Sequence, residues 1–294
     1  MFKKIAVVLI TRYPKWRAGK GNINNTDKVR GDLALKTIEE ALKLGCSVIL
    51  ADYGSSKPFK KELSSIQNLI VTHRRSSKRS KGRRLAIKTA VKIPGIEAVV
   101  LTEAEKVSLI TDCLNQVVAP IIQGKADIVI PKRNENLFKE TYPFYMYESE
   151  IEGNETFNEE LKSHKLISPD QSFDMFFGPR VFANNKKITS LFLKEYTFKV
   201  DHMAFPKWYF DAEDLSNTNF FPAVSALRKG YKVVSVEVPF KYPHSQKLNE
   251  EGKNKHRFEE KRKMQRISIT IELLHFVSYL ENYKGVRVKV SNSK

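Results

Sequence analysis

Polar and charged side chains follow directly after apolar runs at four places in the sequence. They are Thr11-Arg12-Tyr13, Asp52-Tyr53-Gly54-Ser55-Ser56, Glu103-Ala104-Glu105, and the segment from Pro239 to His244. In a doubly wound sheet, ligands bind outside the carboxyl ends of the strands. These four segments therefore hold the first candidates for binding and catalysis.

A basic run between residues 73 and 84 adds a fifth candidate. Its cationic residues are Arg74, Arg75, Lys78, Arg79, Lys81, Arg83 and Arg84. That much positive charge can hold a diphosphate or a nucleic acid. No aromatic residue interrupts the run, whereas proteins that bind single-stranded nucleic acid usually stack bases on aromatic side chains. We therefore expect the run to close over phosphate groups, and we do not expect a nucleic-acid partner.

Alternating strands and helices are predicted to position these segments in the first half of the chain. Strands are expected at residues 4–10, 47–51, 69–72, 98–101 and 127–130. Helices are expected from Asp27, as the cap, to Gly45, and over residues 83–93 and 109–123. Apolar strands that alternate with helices indicate an α/β fold, with a mostly parallel sheet covered by helices on both faces.

The alternation of predicted strands and helices becomes irregular after Pro131 and is regular again near the end of the chain. The aromatic and acidic region 142–160 is predicted to belong to a substrate lobe. A helix that ends at Gly230, a strand at 232–238 and a last helix over 255–283 are expected to follow. We divide the chain into residues 1–135, 136–246 and 247–294.

Composition narrows the class of protein. The chain has 294 residues and a formal net charge of +18, so it attracts anions such as nucleotide phosphates, acidic lipids or nucleic acid. The apolar run Ile5–Ile10 is too short to span a membrane, and a cytoplasmic location is expected. Cys46 and Cys113 lie in apolar stretches, which favours buried thiols over a disulfide framework.

Three segments resemble the GT-A glycosyltransferases of the family 2 type, especially those that glycosylate glycerate or phosphoglycerate. They are Ala51-Asp52-Tyr53-Gly54-Ser55, Ser80-Lys81-Gly82-Arg83-Arg84, and the ending from Gly230-Tyr231 to His244. The resemblance covers roughly residues 5–245. It implies a GT-A, Rossmann-like fold and the transfer of a sugar from a nucleotide-diphosphate sugar. Residues 1–135 would then be the nucleotide-sugar-binding half, 136–246 the acceptor-binding half of the same domain, and 247–294 a helical tail.

The resemblance also implies a set of donor-binding residues. In this family an acidic residue after the second strand contacts the base, and a Gly-Lys-like turn meets the diphosphate. The residues of this chain that match these positions, or flank them at the ends of the strands, are Thr11, Arg12, Tyr13, Asp52, Ser55, Lys81, Arg83 and Glu103.

A divalent metal ion is implied by the same comparison. The family places an Asp-x-Asp motif after an apolar strand and often a histidine after the last strand. This chain has Glu103-Ala104-Glu105 and His244 there, and Glu105 and His244 are the predicted ligands of Mn²⁺ or Mg²⁺. The alternative is that the two glutamates stabilise a helix N-terminus and that His244 is a surface residue.

The family's catalytic aspartate precedes its Gly-Tyr by about three helical turns. This chain has Thr218 and Asn219 at that spacing, and the preferred candidates are Asp214 and Asp211, one or more turns earlier. The alternative is an enzyme that retains the configuration of the sugar, or a binding protein without catalysis. For the acceptor, the resemblance points to Gly178 and Arg180. An arginine there could bind a carboxylate or phosphate with two hydrogen bonds, or the segment is an ordinary turn.

Two other functions remain open at this stage. A nucleotidyltransferase that makes nucleotide-sugars would carry a glycine-rich, arginine-containing signature after the first strand, where this chain has only Gly19 and Gly21. A basic binding protein for RNA or an anionic membrane would explain the charge alone.

The last helix is predicted to contact a partner. Residues 255–266 are dominated by charge, and from Ile267 onward apolar residues cover most of the helix circumference. The partner would be a second copy, giving a homodimer, or an anionic membrane surface that the protein binds peripherally. The alternative is that the protein itself buries the helix on two sides.

Overall fold

The computed structural model describes residues 1–73, 79–196, 216–253 and 255–282. Within these residues the centre is a seven-stranded sheet of order β3-β2-β1-β4-β6-β5-β7. The strands are β1 (Ile5–Thr11), β2 (Ser47–Asp52), β3 (Leu69–His73), β4 (Ala98–Leu101), β5 (Ile128–Arg133), β6 (Arg180–Ala183) and β7 (Val233–Val238). Only β6 runs antiparallel to its neighbours, β4 and β5. The predicted α/β class with a mostly parallel sheet is confirmed.

Helices cover both faces of the sheet. The first six are α1 (Thr26–Lys43), α2 (Lys57–Ser65), α3 (Arg79–Ala90), α4 (Val107–Thr111), α5 (Leu114–Ile122) and α6 (Glu135–Thr141). The remaining five are α7 (Phe144–Ser163), α8 (Lys186–Leu193), α9 (Phe221–Arg228), α10 (His244–Glu251) and α11 (Lys255–Asn282). A π-helical turn, Ser216–Phe220, precedes α9. The sheet contains strands from both predicted halves, β1 to β5 from residues 1–135 and β6 and β7 from residues 136–246.

Two apolar cores form because alternate residues of a strand point to opposite faces. On one face Ile5, Val7 and Leu9 of β1 pack with α1, α2, α4 and α5. On the other face Ala6 and Val8 pack with α3, α8, α9 and α11. The central strands are buried on both sides, which is why their sequences are almost entirely apolar.

Several predicted elements differ from the observed ones. Asn25, not Asp27, caps α1 by accepting a hydrogen bond from the backbone N–H of Lys28, and Asp27 accepts one from the backbone of Lys15 at 2.6 Å. The helix expected over 109–123 is split into α4 and α5 at residues 112–113. The region 142–160, where the pattern loosens, forms most of the 20-residue helix α7. Cys46 and Cys113 are buried and free, as predicted.

Helix α11 packs along the protein. Ile269, Leu273 and Phe276 are buried in the second core, and the Phe276 ring stacks on Phe221 with centroids 4.3 Å apart. These contacts agree with the alternative in which the protein buries the helix itself. The homodimer and the membrane surface remain predictions. No helix among the described residues combines the length and apolar character that crossing a bilayer requires.

Candidate functional site

A buried carboxylate lies where β1 and β2 end. Thr11 and Asp52 are register partners in these parallel strands, and the Thr11 hydroxyl donates to Asp52 Oδ1 at 2.9 Å. The Ser55 hydroxyl donates to the same oxygen at 2.5 Å. Asp52 Oδ2 is buried and accepts no hydrogen bond from the residues that the structure describes. Because an unpaired buried carboxylate oxygen is costly, this atom marks a place for a hydrogen-bond donor from a ligand.

Tyr13 connects this carboxylate to the end of β4. Its backbone N–H donates to Ser55 Oγ at 2.8 Å, and its side chain is hydrogen-bonded to Glu105. Burial, together with the Glu105 carboxylate, raises the pKa of the Tyr13 hydroxyl well above its usual range. Tyr13 is therefore a neutral donor to Glu105 at physiological pH, and it links the Asp52 cluster to the segment that follows β4.

A cavity of about 190 Å³ opens at the end of β4. Its walls come from α1, α3, the β4–α4 loop, β5, α7 and α11. The cationic side chains in these walls include Arg30, Arg83, Lys106, Arg133, Arg262 and Arg266. The carboxylates that line it are Glu103, Glu105 and Glu150. The cavity is therefore richer in positive than in negative charge and suits an anionic ligand.

Glu103 lies against a glycine in this cavity. A Cβ atom on Gly178 would come within 1.9 Å of Glu103 Oε1, so only glycine leaves room for the carboxylate in its present position. Lys106 Nζ lies 3.9 Å from Glu103 Oε2. Burial alone would raise the pKa of Glu103, but the Lys106 ammonium and the Arg83 guanidinium outweigh it, and the pKa falls below its usual value.

Arg83 is held at the cavity by the turn before α9. Its Nη1 donates to Thr218 Oγ1 at 2.9 Å and to Asn219 Oδ1 at 3.0 Å. Thr218 and Asn219 are buried and stand where the resemblance places a catalytic aspartate. In this chain that position fixes an arginine instead of supplying a carboxylate.

A buried salt-bridge network supports the opposite wall. Arg133 donates to both oxygens of Asp174 at 2.7 Å and to Glu150 Oε2 at 2.6 Å. The Arg133 guanidinium also lies 3.5 Å from the centroid of the Phe138 ring. Arg262 of α11 reaches Glu150 Oε1 at 3.5 Å. The network joins β5, α7 and α11, so the last helix is part of the cavity wall.

The residues near the cavity do not fit the predicted Mn²⁺ or Mg²⁺. Within the parts of the chain that the structure describes, no three His, Cys, Asp or Glu side chains are grouped closely enough to hold an ion. His244 is exposed in the first turn of α10 and lies outside the cavity wall. Glu103 faces Lys106, whereas Glu105 faces Tyr13 and Arg30. A dication would have to compete with these protein cations for each carboxylate.

Arg180, a predicted acceptor-binding residue, is engaged by the backbone of the protein itself. Its side chain is completely buried and donates to the backbone oxygens of Met175, Phe177, Pro179 and Asn219 at 2.7–3.1 Å. Burial lowers its pKa to about 10. The arginine ties the segment before β6 to the turn before α9. Gly178, the other predicted acceptor residue, does line the cavity.

The other predicted site residues are placed as follows. Thr11, Tyr13, Asp52 and Ser55 form the buried cluster, and Arg83, Glu103 and Glu105 line the cavity. Arg12 is exposed, and Lys81 lies on α3 outside the cavity wall. Asp211 and Asp214, the catalytic candidates, fall outside the described residues, as do residues 74–78 of the basic run.

The sequence reasoning missed several residues of the cavity: Arg30, Lys106, Arg133, Glu150 and Arg262. Lys106 directly follows Glu105, so its place after β4 was a usable signal. Arg133 ends a strand in the same way. Glu150 and Arg262 lie on α7 and α11, and no local pattern shows that these two helices meet at the end of β4.

No protein-family model matches this chain, and no curated sequence matches it. The chain is similar to several solved structures, and three of them are described below. The 4-diphosphocytidyl-2C-methyl-D-erythritol synthase from Anaerococcus prevotii is 13% identical over 94% of this chain and 95% of that one, with a TM-score of 0.43. Glucosyl-3-phosphoglycerate synthase from M. tuberculosis is 10% identical over 94% and 81%, with a TM-score of 0.43. S. aureus TarS 1-349 in complex with UDP is 16% identical over 79% and 57%, with a TM-score of 0.40. At this level of similarity, the function must be argued from the site's own geometry.

Proposed function

We propose that this protein is a glycosyltransferase that uses a nucleotide-diphosphate sugar as donor. The observation that carries the proposal is the pairing of two features at one edge of the sheet. One is the unpaired, buried Asp52 Oδ2, and the other is the cation-rich cavity at the end of β4. A ligand that spans both needs a hydrogen-bond donor at one end and negative charge at the other. A nucleoside diphosphate has both.

The nucleoside would bind at the Asp52 cluster. Thr11 and Ser55 occupy Oδ1 and hold the carboxylate in place, which leaves Oδ2 to accept from an N–H of the base. Uracil and guanine both carry ring N–H groups that can donate to a carboxylate, and uridine and guanosine diphosphates are the expected ligands. The segment Asp52-Tyr53-Gly54-Ser55, which resembles the base-binding segment of GT-A enzymes, supports this assignment.

The diphosphate and the sugar would extend past Tyr13 into the cavity. During transfer, a new bond forms between the acceptor hydroxyl oxygen and the anomeric carbon. The bond from that carbon to the diphosphate breaks, and its electron pair stays on the departing diphosphate. The acceptor proton goes to a general base. Cations close to the diphosphate favour this step because they offset the charge that gathers on the leaving group.

The general base is proposed to be Asp214, or Asp211 if Asp214 lies too far away. Thr218 and Asn219 cannot accept the acceptor proton, because neither side chain is basic. We expect Asp214→Asn to lower the turnover number by about 10²–10⁴-fold, the usual contribution of a general base. Nucleotide affinity should stay unchanged. Normal turnover in both Asp214→Asn and Asp211→Asn would show that neither residue is the general base.

Product analysis tests the proposed function against its main alternative. Purified protein is incubated with UDP-sugars and GDP-sugars, and separately with nucleoside triphosphates and sugar phosphates. Sugar transfer, or slow hydrolysis of the donor, releases a nucleoside diphosphate. Nucleotidyl transfer releases pyrophosphate. We expect nucleoside diphosphate from one class of donor and no pyrophosphate in the second reaction.

A matched pair of variants ties this activity to the site. Asp52→Asn should abolish product release, whereas Asp170→Asn changes an exposed aspartate in a turn outside the site and should not. Pyrophosphate release would favour the nucleotidyltransferase. Absence of any product, together with tight binding of RNA or anionic vesicles, would favour the non-catalytic basic binding protein.

A further inference from the structure

We propose that Arg83 and Lys106 hold the diphosphate of the donor in place of a divalent metal ion. The conclusion that the bound anion is a donor diphosphate rests on the proposed function. The conclusion that the cavity binds an anion depends only on its lining residues. Both side chains lie in its wall, beside Glu103 and Glu105, which stand where the resemblance places a metal-binding motif. The inference is that protein cations supply the positive charge that the resemblance assigns to Mn²⁺ or Mg²⁺.

Both cations are fixed before any ligand arrives. Thr218 and Asn219 hold the guanidinium of Arg83 through two hydrogen bonds of 2.9 and 3.0 Å. Lys106 Nζ lies 4.7 Å from the centroid of Phe177, 5.2 Å from that of Phe240 and 3.9 Å from Glu103 Oε2. Cations that are already positioned can stabilise a leaving group without further reorganisation.

The carboxylates argue for the same arrangement. Glu103 is paired with Lys106 at 3.9 Å, and Glu105 is engaged by Tyr13 and lies near Arg30. Burial lowers the pKa of Lys106, and Glu103 opposes that effect. A bound diphosphate would favour the charged ammonium further, since a nearby negative charge raises the pKa of a lysine. Glu103 then acts as the partner of Lys106 when the cavity is empty.

This arrangement makes an unusual prediction about Glu103. If Glu103 binds a metal ion that in turn binds the diphosphate, Glu103→Gln weakens diphosphate binding. If protein cations bind the diphosphate, the same change removes a repelling charge and tightens binding. The two explanations therefore predict effects of opposite sign for a substitution that hardly changes the shape of the side chain.

Titration calorimetry with inorganic pyrophosphate tests the inference on the full chain. Pyrophosphate has no base or sugar, so it reports on the anion site without requiring the proposed function. Binding is measured in the presence of a chelator and then with added Mg²⁺ or Mn²⁺. The variants are Lys106→Met and Glu103→Gln. Their matched controls are Lys125→Met and Glu39→Gln, which change exposed residues outside the cavity. Thermal melting confirms that each variant folds.

We expect wild-type protein to bind pyrophosphate in the chelator, with little gain from either metal. Lys106→Met should weaken binding by about tenfold or more, and Glu103→Gln should tighten it by about two- to tenfold, the range for charges partly screened by water. The controls should match the wild type. Arg83→Gln serves as a second test of the cations if Lys106→Met does not fold.

Three results would overturn the inference: binding that requires a metal ion, loss of binding in Glu103→Gln, or no pyrophosphate binding under any condition. The first two leave the proposed function intact, because a metal-dependent glycosyltransferase would give them. Failure of the proposed function would be seen separately, as the absence of nucleoside diphosphate release from every donor.

Discussion

At the scale of single residues, the proposed nucleoside site is built around one carboxylate, since Thr11 and Ser55 both donate to Asp52 Oδ1. Thr11, Asp52 and Ser55 were candidates because each follows an apolar strand, and the register of β1 and β2 brings Thr11 and Asp52 together. Arg180 was a predicted acceptor-binding residue. Its neighbours Gly178 and Pro179 indicate a turn, but no local pattern shows that the guanidinium is buried among backbone carbonyls.

Asp52→Asn is the residue-scale test of the nucleoside site. Asparagine keeps an oxygen for Thr11 and Ser55 but replaces the unpaired Oδ2 with an amide that donates hydrogen bonds. The free energy of unfolding should therefore change by less than about 1 kcal/mol, since the buried hydrogen bonds are kept. The rise in melting temperature on adding uridine or guanosine diphosphate should disappear. A variant that is still stabilised by nucleotide as strongly as the wild type would contradict the assignment of Asp52.

Arg180→Met tests whether Arg180 is structural. Methionine fills part of the same space but leaves four backbone oxygens without their donor. We expect a loss of about 3 kcal/mol or more in the free energy of unfolding, because each unsatisfied buried polar group costs about 1–3 kcal/mol. Denaturant unfolding measures it. A stable variant with a raised Michaelis constant for the acceptor would instead restore the predicted binding role.

At the scale of elements, periodicity predicted six of the seven described strands, all but β6, and most of the first-half helices, but it could not show which elements meet. The site depends on α7 and α11, which are joined through Glu150 and Arg262. α7 was not predicted, because its aromatic and acidic residues show no clear helical stripe. α11 was predicted, but as a surface for a partner. Its role in the cavity wall follows from tertiary packing alone.

The Arg133 network makes stability depend on pH in a defined direction. Burial opposes the charge of Asp174, but Arg133 outweighs it and lowers the pKa of Asp174 below 3.8. The stability that this carboxylate contributes is present above pH 3.8 and is lost as the pH falls through the lower, folded-state pKa.

Arg133→Gln leaves Asp174 and Glu150 buried without their shared cation. At neutral pH we expect a loss of about 3–5 kcal/mol in the free energy of unfolding, the usual cost of breaking a buried ion pair. The difference from wild type should narrow as the pH falls, because without Arg133 burial raises the pKa of Asp174 and its carboxyl group is protonated at a higher pH in the variant than in the wild type. Denaturant unfolding at several pH values measures this. A difference that does not change as the pH falls through the acid range would mean that the charge of Asp174 does not depend on Arg133.

A chain that ends at Gly252 tests the role of α11. It lacks Ile269, Leu273, Phe276 and Val277, each at most 4% exposed, and leaves their apolar partners uncovered. Burial of such a side chain contributes about 1.5–3 kcal/mol, so the truncated chain should melt at a much lower temperature or aggregate. Calorimetry gives the result, with Leu274→Ser, which changes an exposed position on α11, as control. An unchanged melting temperature would show that α11 is dispensable for folding.

Light scattering tests the predicted partner of α11 separately. Full-length protein is measured alone and with anionic vesicles. A dimer or a vesicle-bound form that is lost in Leu274→Ser or in Met264→Ser would support the partner, since both residues are exposed apolar positions on α11. A protein that stays monomeric and does not bind vesicles would contradict the predicted partner. Helix α11 would then serve only as a packed part of the cavity wall.

At the scale of the whole molecule, the net charge of +18 indicated an anionic ligand but not its place. The fold separates the cations by role. Arg180 and Arg133 are buried and hold elements together, and Arg133 also lines the cavity, whereas Arg83 and Lys106 are the cavity cations that we assign to the diphosphate. Composition cannot make that distinction, because it depends on which carboxylates and carbonyl oxygens each cation meets in the folded chain.

The most direct test of the central claim is a crystal structure of the protein soaked with uridine or guanosine diphosphate. The claim predicts a base N–H within hydrogen-bonding distance of Asp52 Oδ2. The rest of the nucleotide should extend past Tyr13. The diphosphate should lie in the cavity at the end of β4. A nucleotide bound elsewhere, or an empty Asp52 cluster and cavity at millimolar nucleotide, would contradict the claim.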